Sequence, residues 1–204
     1  MDEDLDDDND LVDPALDDAL LADDEQLALI GRFAAGLGAI PWFARVGARL
    51  EGREAREARA YLDALGFPEA DVARLTTFAD AADAAASPDW DDPAWEAEEQ
   101  LRAGLTEDAA ARLGEEALSL AMTHVAARAA RAVEAQIERA AQLWDVDDEA
   151  LLNAARGAAI KAAHEAALVL AAGAEESHPF ALKFRLFERG RWPVGVAGTS
   201  FNLF

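Results

Sequence analysis

The chain has 204 residues, a formal net charge of −23 from 18 basic and 41 acidic side chains, and no cysteine. The acidity disfavours nonspecific contact with nucleic acid and anionic lipid, and the missing thiols exclude disulfides, thiolate zinc sites and cysteine nucleophiles. About a quarter of the residues are alanine, the strongest helix former, so composition predicts an all-α fold of closely approaching helices.

The charge is concentrated at one end. Residues 1–25 carry thirteen carboxylates, and the first basic residue is Arg32. Like charges in a block stay solvated and serve as interaction tails, so 1–22 reads as an acidic disordered tail and 23–204 as a single helical domain. Leu5, Leu11, Val12, Leu16, Leu20 and Leu21 are scattered through the acids, a pattern suited to ordering on an apolar groove, or to a plain solvated extension. Alternate aspartates (Asp2, Asp4, Asp6, Asp8) resemble a calcium loop, but Asp7 and Asp13 stand where that loop needs glycine and glutamate. The N-terminus lacks the basic and apolar regions of a secretory signal, and no apolar run reaches the ~20 residues of a membrane span. A cytoplasmic protein without membrane contact is expected.

Asp23 or Asp24 caps a first short helix carrying Leu27, Ile30 and Phe33, which stops at Gly36 and Gly38. Pro41 opens a second, running to Leu65 with Gly66 as its stop and with Gly47 and Gly52 as possible breaks. Phe67-Pro68 restarts a helix with Val72, Leu75 and Phe78 on one side. Ser87 to Pro93 is a turn cluster, with Asp92 as cap of the next helix. From Thr106 the pattern is continuously helical to Trp144, with Leu118, Met122, Val125, Ala129, Val133, Ile137 and Ala140 in one stripe.

Asp147 caps the following helix, 148–172, which is apolar nearly all round and so belongs at the centre of a bundle. Residues 107–172 therefore predict a long antiparallel helical hairpin as the scaffold. Ser177-His178-Pro179 starts a last helix with Phe180, Phe184 and Phe187. Residues 192–204 read as a terminal aromatic β-hairpin. Such a hairpin is marginal alone, so Trp192, Phe201 and Phe204 must dock, either on the chain's own helices (the favoured reading) or in a neighbour.

Three residue sets bear on chemistry. His124 and His164 face each other across the hairpin with Glu165 nearby, which makes these three a weak metal candidate. A ferritin-like di-iron site needs a glutamate three residues before each histidine; Ala121 and Lys161 stand there instead. No serine lies in a nucleophile motif. Arg45, Arg49, Arg53, Arg56 and Arg59 step by four, four, three and three on one helix face, either an anion- or tail-binding stripe or a solvated face partly paired with glutamates such as Glu57. Glu51 and Glu54 fall on the opposite, apolar side, which argues for a break near Gly52.

The expected function is a non-enzymatic acidic interaction module (adaptor, chaperone-like or immunity-type) that binds a basic protein partner and needs no cofactor. Two alternatives stand beside it: a helical enzyme or ligand- or metal-binding protein using His124, His164 and Glu165, and a homo-oligomeric structural protein joined through Trp192 to Phe204.

Overall fold

A computed structural model of the chain describes residues 25–89 and 91–204. The expected acidic tail lies outside the described residues. Among the described residues, seven α-helices and three short strands follow in the order α1 (Glu25–Gly36), α2 (Gly52–Leu65), β1 (Asp71–Arg74), α3 (Phe78–Ala85), α4 (Asp92–Leu113), α5 (Glu115–Trp144), α6 (Glu149–Ala172), α7 (Pro179–Glu188), β2 (Pro193–Ala197) and β3 (Ser200–Leu203). A single turn of 3-10 helix, Leu37–Ala39, extends α1. The all-α bundle built on a helical hairpin, with a C-terminal β-hairpin, is the observed architecture.

The hairpin itself is α5 and α6. Leu118, Met122, Val125, Ala129, Val133, Ile137 and Ala140 are all buried along α5. Helix α6 packs against α1, α4, α5 and α7 and buries residues on every side, including Ala155, Ala159, Ala162, Ala163 and Ala167. Alanine makes this possible: with only a methyl group on each facing position, four helices can approach one.

Four local expectations need correction. The helix expected to run unbroken through 107–144 is two helices, because Gly114 sits at φ +84°, a conformation that ends α4 and starts α5. Thr106, read as a cap, lies inside α4 and returns its hydroxyl to the Arg102 carbonyl at 2.8 Å. The true caps are Asp91, which accepts from Ala94 N at 2.8 Å, and Asp148, which accepts from Ala150 N and Leu151 N at 3.0 and 3.1 Å. Each lies one residue from the aspartate expected. The helix expected from Pro41 begins only at Gly52; residues 42–47 form turns.

The fourth correction is β1. Residues 71–74, expected as helix, form a strand parallel to β3, with Val72 opposite Phe201. The sheet order is β1-β3-β2, and β2 runs antiparallel to β3. The last strand is thus central. Trp192, Phe201 and Phe204 are buried within the chain's own fold, among Phe43, Tyr61, Phe78 and the Trp144 ring. No described helix is long and apolar enough to cross a membrane.

Candidate functional site

The break at Gly114 has a structural consequence. Helices α4 and α5 each pack mainly on α6 and only lightly on one another. Between them lies a groove of about 980 Å³. Ala103, Thr106, Glu107, Ala110 and Ala111 form its α4 wall. These are residues i, i+3, i+4, i+7 and i+8, one helical face spanning roughly 12 Å at 1.5 Å per residue. Glu115, Leu118, Ser119, Met122, Thr123 and Ala126 form the α5 wall, and His164 and Leu168 the floor.

The lining is apolar even where residue names suggest otherwise. Thr106 bonds the carbonyl of Arg102, and Thr123 that of Ser119 at 2.9 Å. Both hydroxyls are thereby satisfied within their own helices, so neither demands a polar partner from an occupant. Glu107 and Glu115 are the charged members of the lining, and no lysine or arginine belongs to it. The His164 imidazole titrates below its ordinary value, first because burial penalises its charged form and then because the Arg102 guanidinium repels it. At neutral pH the groove is therefore an apolar trough edged with negative charge.

Compared with known proteins, the chain matches no family model, no curated sequence and no solved structure.

A second concentration of chemistry lies where α2, α4, α6 and α7 meet. Glu98 is buried and its Oε1 accepts from Lys183 Nζ at 2.6 Å and from the Tyr61 hydroxyl at 2.5 Å. Burial works against the Lys183 ammonium, but the Glu98 and Glu165 carboxylates outweigh it, and the group titrates above its usual range. Burial likewise opposes the Glu98 carboxylate, and Lys183 more than compensates, so it titrates below the usual range. Burial and the Glu98 charge together push the Tyr61 phenol well up. Beside this trio, buried Glu165 Oε1 accepts from Arg102 Nε at 3.1 Å and Nη2 at 2.6 Å, and Arg102 also holds Glu99.

The structure disperses the expected metal set. His124 is buried on α5 and does not line the groove, His164 forms the groove floor, and Glu165 is engaged by Arg102. Among the described residues no group of three or more His, Asp or Glu side chains is placed to hold a metal ion.

The arginine stripe is also divided. Arg45 lies ahead of α2 and pairs with Glu51 at 2.6 Å, Arg53 pairs with Glu57 at 3.2 Å, and Arg59 donates to the Pro68 and Ala70 carbonyls. Arg49 precedes the helix. Only Arg53 and Arg56 remain on a common surface, where Arg185 of α7 joins them around a shallow concavity.

Sequence reading missed Arg191. It is wholly buried and binds Glu54 as well as the carbonyls of Arg45, Ala48 and Arg49. Glu54 on an apolar face was the one available signal, since a buried carboxylate demands a cation. The groove residues had a signal too: small side chains at helical spacing over 103–111, facing no assigned neighbour.

Proposed function

We propose that this protein is a non-enzymatic interaction module that holds a basic amphipathic helix of a partner protein in the groove between α4 and α5. The observation that carries this reading is the lining: an apolar trough whose charged members, Glu107 and Glu115, are both acidic. A helix laid in such a groove inserts side chains at i, i+3, i+4 and i+7. Lysine or arginine on its flanks would meet the two glutamates, and the overall charge of −23 would steer it in. Neutral His164 leaves that attraction intact. The same charge disfavours nucleic acid, and we read the setting as cytoplasmic. Arg56, beside Arg53, which already pairs with Glu57, is the part of the arginine stripe we read as open to an anionic ligand or acidic segment.

The test uses two synthetic helical peptides with identical leucines at i, i+3, i+4 and i+7, one flanked by lysines and one by glutamates. The lysine peptide should shift amide signals of 103–111 and 115–126 in the full-length protein, more strongly at low salt. Ser119→Arg, an exposed position on the groove wall, should abolish the shifts without altering the melting temperature. Equal binding of the glutamate peptide, or shifts that map elsewhere, would overturn the reading.

A further inference from the structure

The chain contains two lysines, Lys161 and Lys183, and one tyrosine, Tyr61, against sixteen arginines. All three rare residues line one pocket of about 210 Å³, which the paired cluster around Glu98 borders. Five elements build it: Tyr61 from α2, the Asp91 cap with Trp95 and Glu98 of α4, Lys161 of α6, Lys183 of α7, and the β2 segment Pro193 to Val196. We propose that this pocket binds a small zwitterion of the α-amino-acid class.

Its polar groups are matched in number and left incomplete. Lys161 Nζ stands 3.9 Å from Glu99 and 3.9 Å from Glu165, outside hydrogen-bond distance of either. An ammonium has three donors, and those of Lys161 are unused by the described side chains. A ligand carboxylate entering the pocket satisfies them. On the acidic side, Glu98 spends Oε1 on Lys183 and Tyr61, while Oε2 has no hydrogen bond to a described residue. It is the acceptor for a ligand ammonium, with Asp91 supporting the same charge from the cap.

Charge balance selects the ligand class. Two ammonium and two carboxylate groups line the pocket, a balanced set that can pair with both charges of a zwitterion but with only one sign of a net anion or a net cation. Lysine suits the role better than arginine, because a compact point charge leaves room that a planar guanidinium would fill. Ala158, Pro193 and Val194 supply apolar wall for a side chain. Trp95, 56% exposed, offers its indole at the rim. At about 30 Å³ per water, the volume holds roughly seven waters, the scale of one amino acid.

The experiment is saturation-transfer NMR on the full-length protein with each of the common free amino acids, then with the N-acetyl and the C-amide form of any that binds. Binding of at least one free amino acid, lost on blocking either end, supports the proposal. Lys161→Gln, with its half-exposed side chain, should keep the melting temperature and weaken that binding about tenfold or more, the loss of one charge-assisted bond. Trp95→Ala should weaken it less. Transfer to none of the free amino acids overturns the proposal, as does binding that survives N-acetylation or is unmoved by Lys161→Gln.

Discussion

Arg191 and Glu54, 137 residues apart, form a two-bond ion pair sealed from solvent, with Nε–Oε1 at 3.2 Å and Nη2–Oε2 at 2.9 Å. The remaining guanidinium donors reach the Arg45, Ala48 and Arg49 carbonyls at 2.6 to 2.7 Å. One buried cation thus ties the entrance of α2 to the strand that follows α7. Next to it, Gly190 at φ +77° leaves no room for a side chain: a Cβ there would lie 2.9 Å from Pro41 O and 3.0 Å from Arg45 N. The turns of 42–47 are held open by this junction, which explains why a stretch with helical spacing does not coil.

Replacing Arg191 by methionine should cost about 3–5 kcal/mol, because it leaves three carbonyls unbonded and leaves the buried Glu54 carboxylate only Arg45, at 3.6 Å, and the Glu51 N–H. Denaturant unfolding measures it. Adding Glu54→Leu to that variant should recover part of the loss, since removing both charges also removes their desolvation cost. A single variant within about 1 kcal/mol of the parent would show that water reaches the site.

The C-terminal strand is expected to be structural. Phe201 is fully buried with its ring 5.0 Å from Tyr61, and β3 bonds strands on both sides. Phe201→Ala should cost about 3–5 kcal/mol. Removing residues 192–204 should lower monomer stability by more than that substitution does. If truncation left stability intact and changed only self-association, the hairpin would be an interface.

The helical hairpin was legible because a stripe at steps of three and four is a local property, and so was the aromatic C-terminus. What was not legible depended on partners remote in sequence. Val72 leans to the extended form only weakly on its own; its pairing with Phe201 at the far end of the chain decides. Gly114 costs a helix only about 1 kcal/mol, too little to mark a break among alanines. The groove follows from that break, so it was hidden with it. His164 and Glu165 drew attention as weak candidates for a shared metal, whereas the fold sends one to a groove and the other to Arg102.

Lys183→Met should reveal the Glu98 carboxylate. Left buried without its ammonium, Glu98 will titrate above its unfolded value, so the variant binds a proton in the folded state that the unfolded chain has already released. Its stability deficit should therefore be greatest at neutral pH and shrink as pH falls through the raised Glu98 value. Melting temperatures of parent and variant from pH 7.5 to 4.5 test this. A deficit that does not change with pH would show that Glu98 finds another partner.

Two pH windows are expected in the parent. Burial depresses His164 and His178, and His178 Nδ1 accepts from Phe180 N at 3.2 Å as the cap of α7. The unfolded chain binds protons at these positions first, so stability should fall as pH drops through about 6.5. Glu54, Glu98 and Glu99 titrate below the usual range, and Asp80, held by Thr76 and Thr77, at about 2. Their contribution should be lost in a second decline below about pH 4.5. His178→Asn, which keeps a capping acceptor, combined with His164→Gln should flatten the first decline and leave the second.

Helix α6 meets its neighbours through buried alanines at 155, 159, 162, 163, 166, 167 and 171. Most cores fail by erosion: a large side chain is trimmed and a void remains. Here there is almost nothing to trim. Every replacement other than glycine adds atoms between helices already in contact, at a typical cost of about 1–3 kcal/mol, and glycine weakens the helix itself by about 1 kcal/mol. Inheritance at these positions is therefore penalised in both directions. Descendants of this chain should keep the alanine ladder of α6 as strictly as an enzyme keeps its catalytic residues, while the surface around it drifts.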